Sequence, residues 1–164
     1  MSIPNRLTKF LKKHKVYYQV MVHPERFSST ETAESEHVAG GKFAKVVMAK
    51  VDERDMMLIL PSDHTVDLFK LTTALGTMDA RIEKEKDFKD LFPDCEVGAM
   101  PPVGRIYQLL CCVDRSLEQS PEIYFNAGTH TESIKVGTQD FLRVLKARVY
   151  DFAVPAKKKA EKLP

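Results

Sequence analysis

The stretch AKVVMAKVDERDMMLILP, residues 44–61, predicts the centre of the fold. Two apolar runs, 44–51 and 56–61, flank the polar residues DERD at 52–55. Apolar runs rich in β-branched residues and separated by a short polar turn are typical of two strands joined as a hairpin. We therefore expect an antiparallel pair of strands at the core of this protein.

Further strands and helices are predicted on both sides of this hairpin. Apolar spacing indicates helices over 4–14, 66–75, 86–92 and 139–148, and a capping box of Ser28 and Glu31 indicates one over 28–37. Asp63 or Thr65 is the expected cap of the helix over 66–75, and Gly76 its C-terminal stop. Strands are expected over 16–23, 105–114, 122–126 and 131–136, with a turn at 127–130.

The sum of these elements is one α/β domain. The chain has 164 residues, enough to bury one core, and no repeat or linker divides it. We predict a single compact domain over 1–150, with a mixed, mostly antiparallel, barrel-like sheet flanked by helices. A basic, flexible tail is expected over 151–164.

Composition narrows the class of protein. Of the residues, 43% are hydrophobic and 29% charged, and no apolar run reaches the ~20 residues of a membrane span. The N-terminal stretch lacks a secretion signal, so we expect a cytoplasmic protein with no membrane partner. The net charge of +2 does not by itself indicate DNA or RNA binding. Lysine clusters over 9–15 and 157–162 are either solvated or in contact with a phosphate backbone.

No motif for a metal, a cofactor or a protein nucleophile is present. The five histidines share no ligand spacing, and only His130, in the turn AGTH, is kept as a candidate. Cys111 and Cys112 are adjacent, so we expect them on opposite faces of a strand as small apolar residues. Cys95 is expected to be a free thiol. The prediction is a protein without metal or cofactor.

Two features carry chemistry without a catalytic motif. Between Gly98 and Gly104 the chain has two glycines, two prolines and no acid, base or hydroxyl. Such a loop is either a structural bend or a rigid wall that presents its own backbone groups. Lys45, at the start of a predicted strand, is either solvated or a fixed positive charge for a phosphate or carboxylate.

A family resemblance joins these features. The ordered segments AKVV (44–47), LPSDHTVDLFKL (60–71), EVGAMPPVG (96–104), VDRSL (113–117) and NAGTH (126–130) resemble the YbaK/ProRS-associated editing domains. That family comprises free-standing aminoacyl-tRNA deacylases and the matching insertion domain of bacterial prolyl-tRNA synthetases. The resemblance extends from about residue 20 to residue 146.

The resemblance implies roles for particular residues. The loop 98–102 matches the family's G-x-x-x-P signature, which lines the aminoacyl pocket, and Lys45 matches a strand lysine that holds the tRNA end or the substrate. Asp114 is either pocket framework or a turn cap. The family's usual threonine after the lysine is Val46 here. The implied catalytic residues are Lys45, Gly98, Ala99 and Met100, and the implied substrate-binding residues are Pro101, Pro102, Asp114, Asn126, Gly128 and His130.

The implied function is trans-editing by a metal-independent aminoacyl-tRNA deacylase. Such an enzyme hydrolyses the ester of a mischarged tRNA, here with alanine first and cysteine second on proline tRNA. The expected partners are the aminoacylated tRNA end and prolyl-tRNA synthetase. Two alternatives stay open at this stage: a non-catalytic module that binds charged tRNA ends or an amino-acid-like ligand, and a hydrolase of an unrelated ester.

Overall fold

The structure is a computed structural model that describes residues 2–24 and 40–156. The predicted hairpin forms its centre. Strands β2 (Phe43–Val51) and β3 (Arg54–Pro61) pair antiparallel, with Met48 opposite Met57. The turn between them is tight, because Asp52 and Glu53 both adopt positive φ angles, 48° and 65°. Acidic and amide side chains tolerate this left-handed conformation better than most residues. The prediction of a hairpin here is confirmed.

The remaining strands extend this pair into a curled, mixed sheet. Its order is β1-β8-β7-β2-β3-β6-β9, with β5 pairing to the far end of β2, and β4 and β10 form a separate pair. Three neighbouring pairs are parallel (β2 with β7, β3 with β6, β6 with β9) and the others are antiparallel. The other strands are β1 Tyr18–Val22, β4 His64–Val66, β5 Ala80–Ile82, β6 Leu110–Asp114, β7 Glu122–Thr129, β8 Glu132–Gly137, β9 Arg148–Tyr150 and β10 Ala153–Pro155.

Helices cover the sheet within the described residues. They are α1 Asn5–Lys13, α2 Leu68–Leu75, α3 Glu85–Phe88 and α4 Thr138–Leu145. Helix α2 ends where predicted, since Gly76 adopts the left-handed conformation. Its cap is Asp67, whose side chain accepts a hydrogen bond from the Lys70 N–H, so the prediction of Asp63 or Thr65 was wrong. The helix predicted over 28–37 lies outside the described residues.

The sheet has a hydrophobic core on each face. We call the core under α1 and α4 the helix-side core; it contains Leu7, Ile59, Phe125 and Phe141 among others. The second core, on the opposite face, contains Leu58, Leu60, Leu71 and Phe152. Cys111 packs against the helix-side core and Cys112 lies in the second core, which confirms their predicted opposite orientation. Burial raises the pKa of both thiols to about 11, consistent with packing rather than reactivity.

Two predictions of element boundaries were wrong around the sheet's parallel edge. The strand predicted over 105–114 is a 3₁₀ turn at Gly104–Tyr107 followed by β6, because Gln108 has a positive φ of 57° and redirects the chain. Helix α4 stops at Leu145 rather than at 148 because Lys146 adopts the left-handed conformation. In both places apolar residues continue in the sequence, but the backbone turns.

The strand and tail predicted at the C-terminal part also differ from the structure. Strand β7 runs to Thr129, with a β-bulge between Asn126 and Thr129, where a turn was expected from residue 127. The predicted flexible tail begins too early, because Phe152 is fully buried and Ala153–Pro155 pairs with β4. An aromatic side chain that fills the second core gives this segment a reason to be ordered. Within the described residues no helix is long and apolar enough to cross a membrane.

Candidate functional site

Lys45 lies level with Asn126 on a neighbouring strand. Strands β2 and β7 are parallel, with Phe43 opposite Tyr124 and Ala44 opposite Phe125. The pairing ends there, and extending its register by one residue brings Lys45 level with Asn126. Ala44 and Phe125 point into the helix-side core. Because side chains alternate along a strand, Lys45 and Asn126 both point to the opposite face.

Two more polar residues, Ser133 and His23, lie on or directly after the neighbouring strands, next to Asn126. Ser133 on β8 is opposite Asn126, and its hydroxyl is 3.0 Å from Nε2 of His23. His23 follows β1 directly, and its N–H donates to the carbonyl of Thr131 at 2.8 Å. The four side chains His23, Ser133, Asn126 and Lys45 thus form one polar line across adjacent strands, which we call the polar row. The same face carries further polar side chains along these strands, Gln19, Tyr124 and Lys135, and convergent polar groups suit the recognition of a polar ligand.

Lys45 is held at the border between the sheet and solvent. Its ammonium donates to the carbonyl oxygen of Ser62 at 3.4 Å, and the carboxylate of Asp63 lies near it. Partial burial lowers the pKa of Lys45, and Asp63 opposes this change. Of the two predicted alternatives, the simply solvated lysine does not match this position. The half-buried ammonium is a positive charge with few competing waters.

The loop 98–102 is attached to the end of β7. The N–H of Gly128 donates to the carbonyl of Ala99, and the N–H of Glu96 donates to the carbonyl of Gly128, both at 2.8 Å. Gly98 and Gly128 have positive φ angles of 84° and 89°, which glycine adopts without strain. The loop therefore lies two residues along β7 from Asn126, beside the polar row.

His130 fixes the same loop from a second direction. Its backbone N–H donates to Oε2 of Glu96 at 2.8 Å, and its Nε2 lies 2.7 Å from the carbonyl oxygen of Val97. Both contacts pin the segment that precedes Gly98. The position makes His130 a support of the loop.

The loop offers backbone donors at its tip. The N–H of Ala99 donates to the carbonyl of Glu96 at 3.1 Å, and Pro101 and Pro102 have no N–H. No hydrogen bond between described residues uses the N–H of Gly98 or of Met100. Gly98 is exposed, while Ala99, Met100 and both prolines are buried. The arrangement is a rigid segment with two N–H groups that the chain itself does not use, and of these the N–H of Gly98 belongs to an exposed residue.

Asp114 is used by the chain itself. It is 2% exposed, and its Oδ1 accepts from the N–H groups of Phe152 and Ala153, both at 2.9 Å. Its Oδ2 accepts from the N–H of Ser116 at 3.1 Å and also from the Ser116 hydroxyl. A carboxylate with both oxygens saturated by backbone donors has little capacity left for a ligand. The geometry supports the turn-cap alternative for Asp114.

Metal-binding clusters are not found in the described part of the chain: no three His, Cys, Asp or Glu side chains there are placed to share an ion. The site described above consists of the four side chains of the polar row and the backbone of the loop 98–102.

Comparison with known proteins identifies the family of this chain. The family model of the aminoacyl-tRNA editing domain matches residues 23–144, which include the polar row and the loop. The chain belongs to this family. We refer to the chain below as the editing domain.

Relatives of this editing domain include free-standing and inserted forms. The Multifunctional Ser/Thr-tRNA deacylase ProXp-y of Escherichia coli strain K12 is 28% identical over 152 residues, which cover 90% of each chain. Proline–tRNA ligase 1 of Bacillus thuringiensis subsp. konkukian strain 97-27 is 26% identical over 81 residues, 49% of this chain and 14% of the ligase. A crystal structure described as a candidate trans-editing enzyme for prolyl-tRNA synthetase superposes with a TM-score of 0.79 at 20% identity, covering 93% and 99% of the two chains. This last likeness supports the fold.

Val46, which replaces the usual threonine, does not face the site. It packs against the helix-side core, whereas its neighbour Lys45 points to the opposite face. A threonine hydroxyl at this position of the editing domain would point away from the Lys45 ammonium. The replacement therefore leaves the polar row unchanged.

Behind the loop, Cys95 is part of a buried support. Its Sγ is 3.0 Å from the Tyr107 hydroxyl, which in turn donates to Oδ1 of Asp94 at 2.9 Å. Arg6 pairs with the other oxygen of Asp94 at 2.6 Å. Burial raises the pKa of the Cys95 thiol to about 12, so the thiol is not a nucleophile at neutral pH. Its role is to hold the segment that leads into the loop.

Sequence reasoning found Lys45, the loop and Asn126, but it missed the role of Ser133 and used His23 only as a strand-end residue. The signal for both is the pairing of β1, β8, β7 and β2. The pairs of β1 with β8 and of β2 with β7 join segments about 80 residues or more apart along the chain, so no local pattern indicates them, whereas β7 and β8 are consecutive.

Proposed function

We propose that this editing domain hydrolyses the ester bond that joins an amino acid to the 3′ end of a tRNA, acting in trans. The observation that carries the proposal is the half-buried Lys45, which follows Ala44 as Asn126 follows its partner Phe125, together with a nearby loop whose Gly98 and Met100 N–H groups are not used by the chain itself. The name of the E. coli relative, a Ser/Thr-tRNA deacylase similar over 90% of both chains, supports the same reaction.

Hydrolysis of this ester requires few groups from the protein. A water oxygen adds to the ester carbonyl carbon, the bond to the ribose oxygen breaks, and that oxygen takes a proton to leave a free tRNA 3′ end. Negative charge develops on the carbonyl oxygen during the addition, and backbone N–H groups are suited to stabilise it. The N–H groups of Gly98 and Met100 fill this role in our proposal.

Lys45 binds the substrate in this scheme. Its ammonium attracts the phosphate of the terminal nucleotide and brings the ester next to the loop. A positive charge that is partly removed from water interacts more strongly with an anion than a fully solvated one does. The substrate's own ribose hydroxyl, beside the ester, helps to position the attacking water.

Asn126 is the residue we assign to recognition of the amino acid. It is 4% exposed, and its Oδ1 has no hydrogen-bond partner among the described residues. A buried carbonyl oxygen without a partner is costly, and a donor on the ligand relieves this cost. The α-ammonium of any amino acid, or the hydroxyl of serine or threonine, supplies such a donor.

The amino acids we propose are therefore small ones. The name of the E. coli relative makes serine and threonine the first candidates. The next candidates are alanine and cysteine on proline tRNA, which were the first and second choices from the family resemblance. The partial match to proline–tRNA ligases is the support for proline tRNA and for prolyl-tRNA synthetase as a partner.

A deacylation panel tests this proposal. Purified protein is incubated with proline, threonine, alanine and serine tRNAs carrying their own or a wrong small amino acid, and loss of the radiolabelled amino acid is followed. We expect release of one or more small amino acids with prolyl-tRNA spared. If no charged tRNA loses its amino acid while the protein still binds it, the protein is a binding module and the proposal is wrong.

The variant Asn126→Leu sharpens the test. It keeps the side-chain volume nearly unchanged but removes the buried acceptor. If Asn126 contacts the substrate hydroxyl, this variant loses about 10- to 100-fold more activity on seryl than on alanyl esters. An equal loss on both would instead assign Asn126 to the α-ammonium.

A further inference from the structure

A cleft of about 400 Å³ lies away from the polar row. It opens where β3 and β6 begin, at the level of Met56 and Leu110, whereas Lys45 is level with Leu60. The four residue steps from Met56 to Leu60 separate the two places by about 13 Å along the strand. The rim of the cleft carries the cations Arg105, Lys146 and Arg148.

Cations of α1 and α4 adjoin this rim. Arg143 donates to the carbonyl of His14 at 3.4 Å, which joins the C-terminal ends of the two helices. The guanidinium of Arg105 lies 5.5 Å from the ring centroid of Phe10, and that ring lies 4.4 Å from the His14 ring. Lys13 precedes His14 at the end of α1. The cations Lys13, Arg105, Arg143, Lys146 and Arg148, defined here as the basic surface, therefore surround one region.

Little negative charge compensates the basic surface. Arg143 pairs with Asp140 at 3.1 Å. Among the described residues, Lys13, Arg105, Lys146 and Arg148 form no ion pair with an acid. Burial and then the charges of Arg105, Lys13, Arg143 and Lys146 lower the pKa of His14, in agreement with a positive local potential.

Helix ends account for part of this charge. Arg105 donates to the carbonyl of Val144 at 2.8 Å, and cations near a helix C-terminus are favourable. The same reason applies to Lys13 in the last turn of α1 and to Lys146 at the end of α4, but not to Arg148, which lies on a strand. All five side chains of the basic surface belong to exposed residues. The excess charge is available to a partner.

We infer that the basic surface docks the phosphate backbone of tRNA at a distance from the esterified end. This inference rests on the proposed function for its choice of polyanion. Lys13 and Arg143 belong to the helices over the helix-side core, whereas Lys45 faces the other side of the sheet, so the phosphates concerned lie around the edge of the domain from the 3′ end. One turn of a duplex is about 34 Å long, more than the offset of about 13 Å along β3, so the backbone of a bound tRNA extends far enough to reach both places. Arginine and lysine contacts to phosphates of this kind give affinity without sequence preference.

A charge-removal pair tests this inference. The variant Lys13→Gln/Lys146→Gln/Arg148→Gln removes three cations of the basic surface and leaves Arg105 and Arg143, which hold the helix ends, in place. The control Arg54→Gln/Lys70→Gln/Lys135→Gln removes the same charge elsewhere. Binding of uncharged tRNA is measured by fluorescence anisotropy over a series of salt concentrations, and urea unfolding confirms that both variants are folded.

The expected result is specific to the surface. The first variant binds tRNA about 10- to 100-fold more weakly at low salt, and the slope of log affinity against log salt falls by about 2 to 3, one for each lost phosphate contact. The control changes much less. Cleavage of a small ester, serine esterified to adenosine, is unchanged in both variants because this substrate is too short to reach the basic surface.

The alternative outcomes are distinguishable. Equal weakening in both variants would show that net charge alone drives binding, and it would overturn the inference. Unchanged tRNA binding together with weaker binding to vesicles of anionic lipid would assign the surface to a membrane and would also overturn it. Uncharged tRNA is the probe, so the binding measurement does not depend on ester cleavage. A failure to cleave any ester would refute the proposed function and would leave the inference about the basic surface standing.

Discussion

Lys45 and Asn126 are 81 residues apart in the sequence but level with each other on the neighbouring parallel strands β2 and β7. Their side chains share the face of the sheet opposite to the helix-side core. Neither residue has a catalytic motif around it. The parallel pairing of β2 and β7 is what makes them one site, and the loop attached at Gly128 completes it.

Replacing Lys45 is the direct test of the polar row. We expect Lys45→Met to lower kcat/KM for a charged tRNA by about 100-fold or more, the usual scale for removing one preorganised charged or polar contact. Because partial burial disfavours the charged ammonium, the variant should be as stable as the unmodified protein or more so. Deacylation rates and urea unfolding measure the two effects, and Lys70→Met, a surface ion-pair lysine, is the matched control.

The lowered pKa of Lys45 also predicts a pH dependence. The ammonium loses its proton at a lower pH than the ordinary value of 10.5, so substrate binding should weaken on the alkaline side below that pH. Lys45→Arg keeps its charge and should lack this alkaline decline. Substrate affinity measured against pH, after subtraction of spontaneous ester hydrolysis, checks this. An identical decline in both proteins would show that another group titrates.

Gly128 predicts a coupling between strand and loop. A Cβ at Gly128 would lie 2.6 Å from Cδ and 2.8 Å from Cγ of Pro4, and its φ of 89° strains any other residue. We expect Gly128→Ala to lower the free energy of unfolding by about 2–4 kcal/mol and to reduce deacylation per folded molecule, since the loop 98–102 is bonded to Gly128.

Gly137→Ala is the control for this change. Nothing lies within 4 Å of a Cβ at Gly137, and its φ is −68°. At this position before α4, an alanine costs below about 1 kcal/mol. Similar losses of stability in the two variants would contradict the crowding that the structure places at Gly128.

Asp114 is predicted to be a residue of stability rather than of binding. Asp114→Ala leaves the N–H groups of Ser116, Phe152 and Ala153 without their acceptor, and unmade hydrogen bonds of buried donors cost about 1–3 kcal/mol each. We expect a loss of about 3–5 kcal/mol in urea unfolding, and a smaller loss for Asp114→Asn, which keeps one oxygen. Folded Asp114→Asn protein should retain its KM for charged tRNA. A raised KM with unchanged stability would restore the pocket role.

Much of this fold follows from local patterns in the sequence. The hairpin of β2 and β3 is marked by the alternation of apolar runs and the polar turn, and the end of α2 by Gly76. Local patterns fail where the chain turns without a breaker residue. Gln108 and Lys146 adopt positive φ angles that their residue types do not announce, so the strand before β6 and the end of α4 were misplaced.

The residues of the site also fall into those that local sequence could predict and those that it could not. Lys45 and the glycine-proline loop have unusual local composition, and the family resemblance assigned both to one pocket. The contribution of Ser133 and the turn-capping role of Asp114 depend on which distant segment packs beside them. Phe152 illustrates the reason, because its burial in the second core orders a short segment near the basic C-terminal residues. Tertiary contacts of this kind have no counterpart in residue spacing.

Glu83 gives a prediction about stability that is independent of the site. Its side chain is 5% exposed, its Oε1 is 3.9 Å from the ammonium of Lys50, and its Oε2 has no hydrogen-bond partner among the described residues. Burial and the neighbouring carboxylate of Asp55 raise the pKa of Glu83 from 4.5 to about 7. The folded state therefore favours the protonated acid.

The sign of the pH effect follows from this raised pKa. Below pH 4.5 the Glu83 carboxyl is neutral in both the folded and the unfolded state, so its ionisation does not change the free energy of unfolding. As the pH rises from 4.5 to about 7, the carboxyl ionises in the unfolded state but stays protonated in the folded state. The free energy of unfolding therefore falls over this range. Glu83→Gln should therefore be about 1–3 kcal/mol more stable than the unmodified protein at pH 8, and equal to it near pH 4.5. Urea unfolding between these values measures the difference, with the exposed Glu85→Gln as control. A difference that is the same at both pH values would mean that Glu83 is already ionised in the fold, with Lys50 compensating its charge.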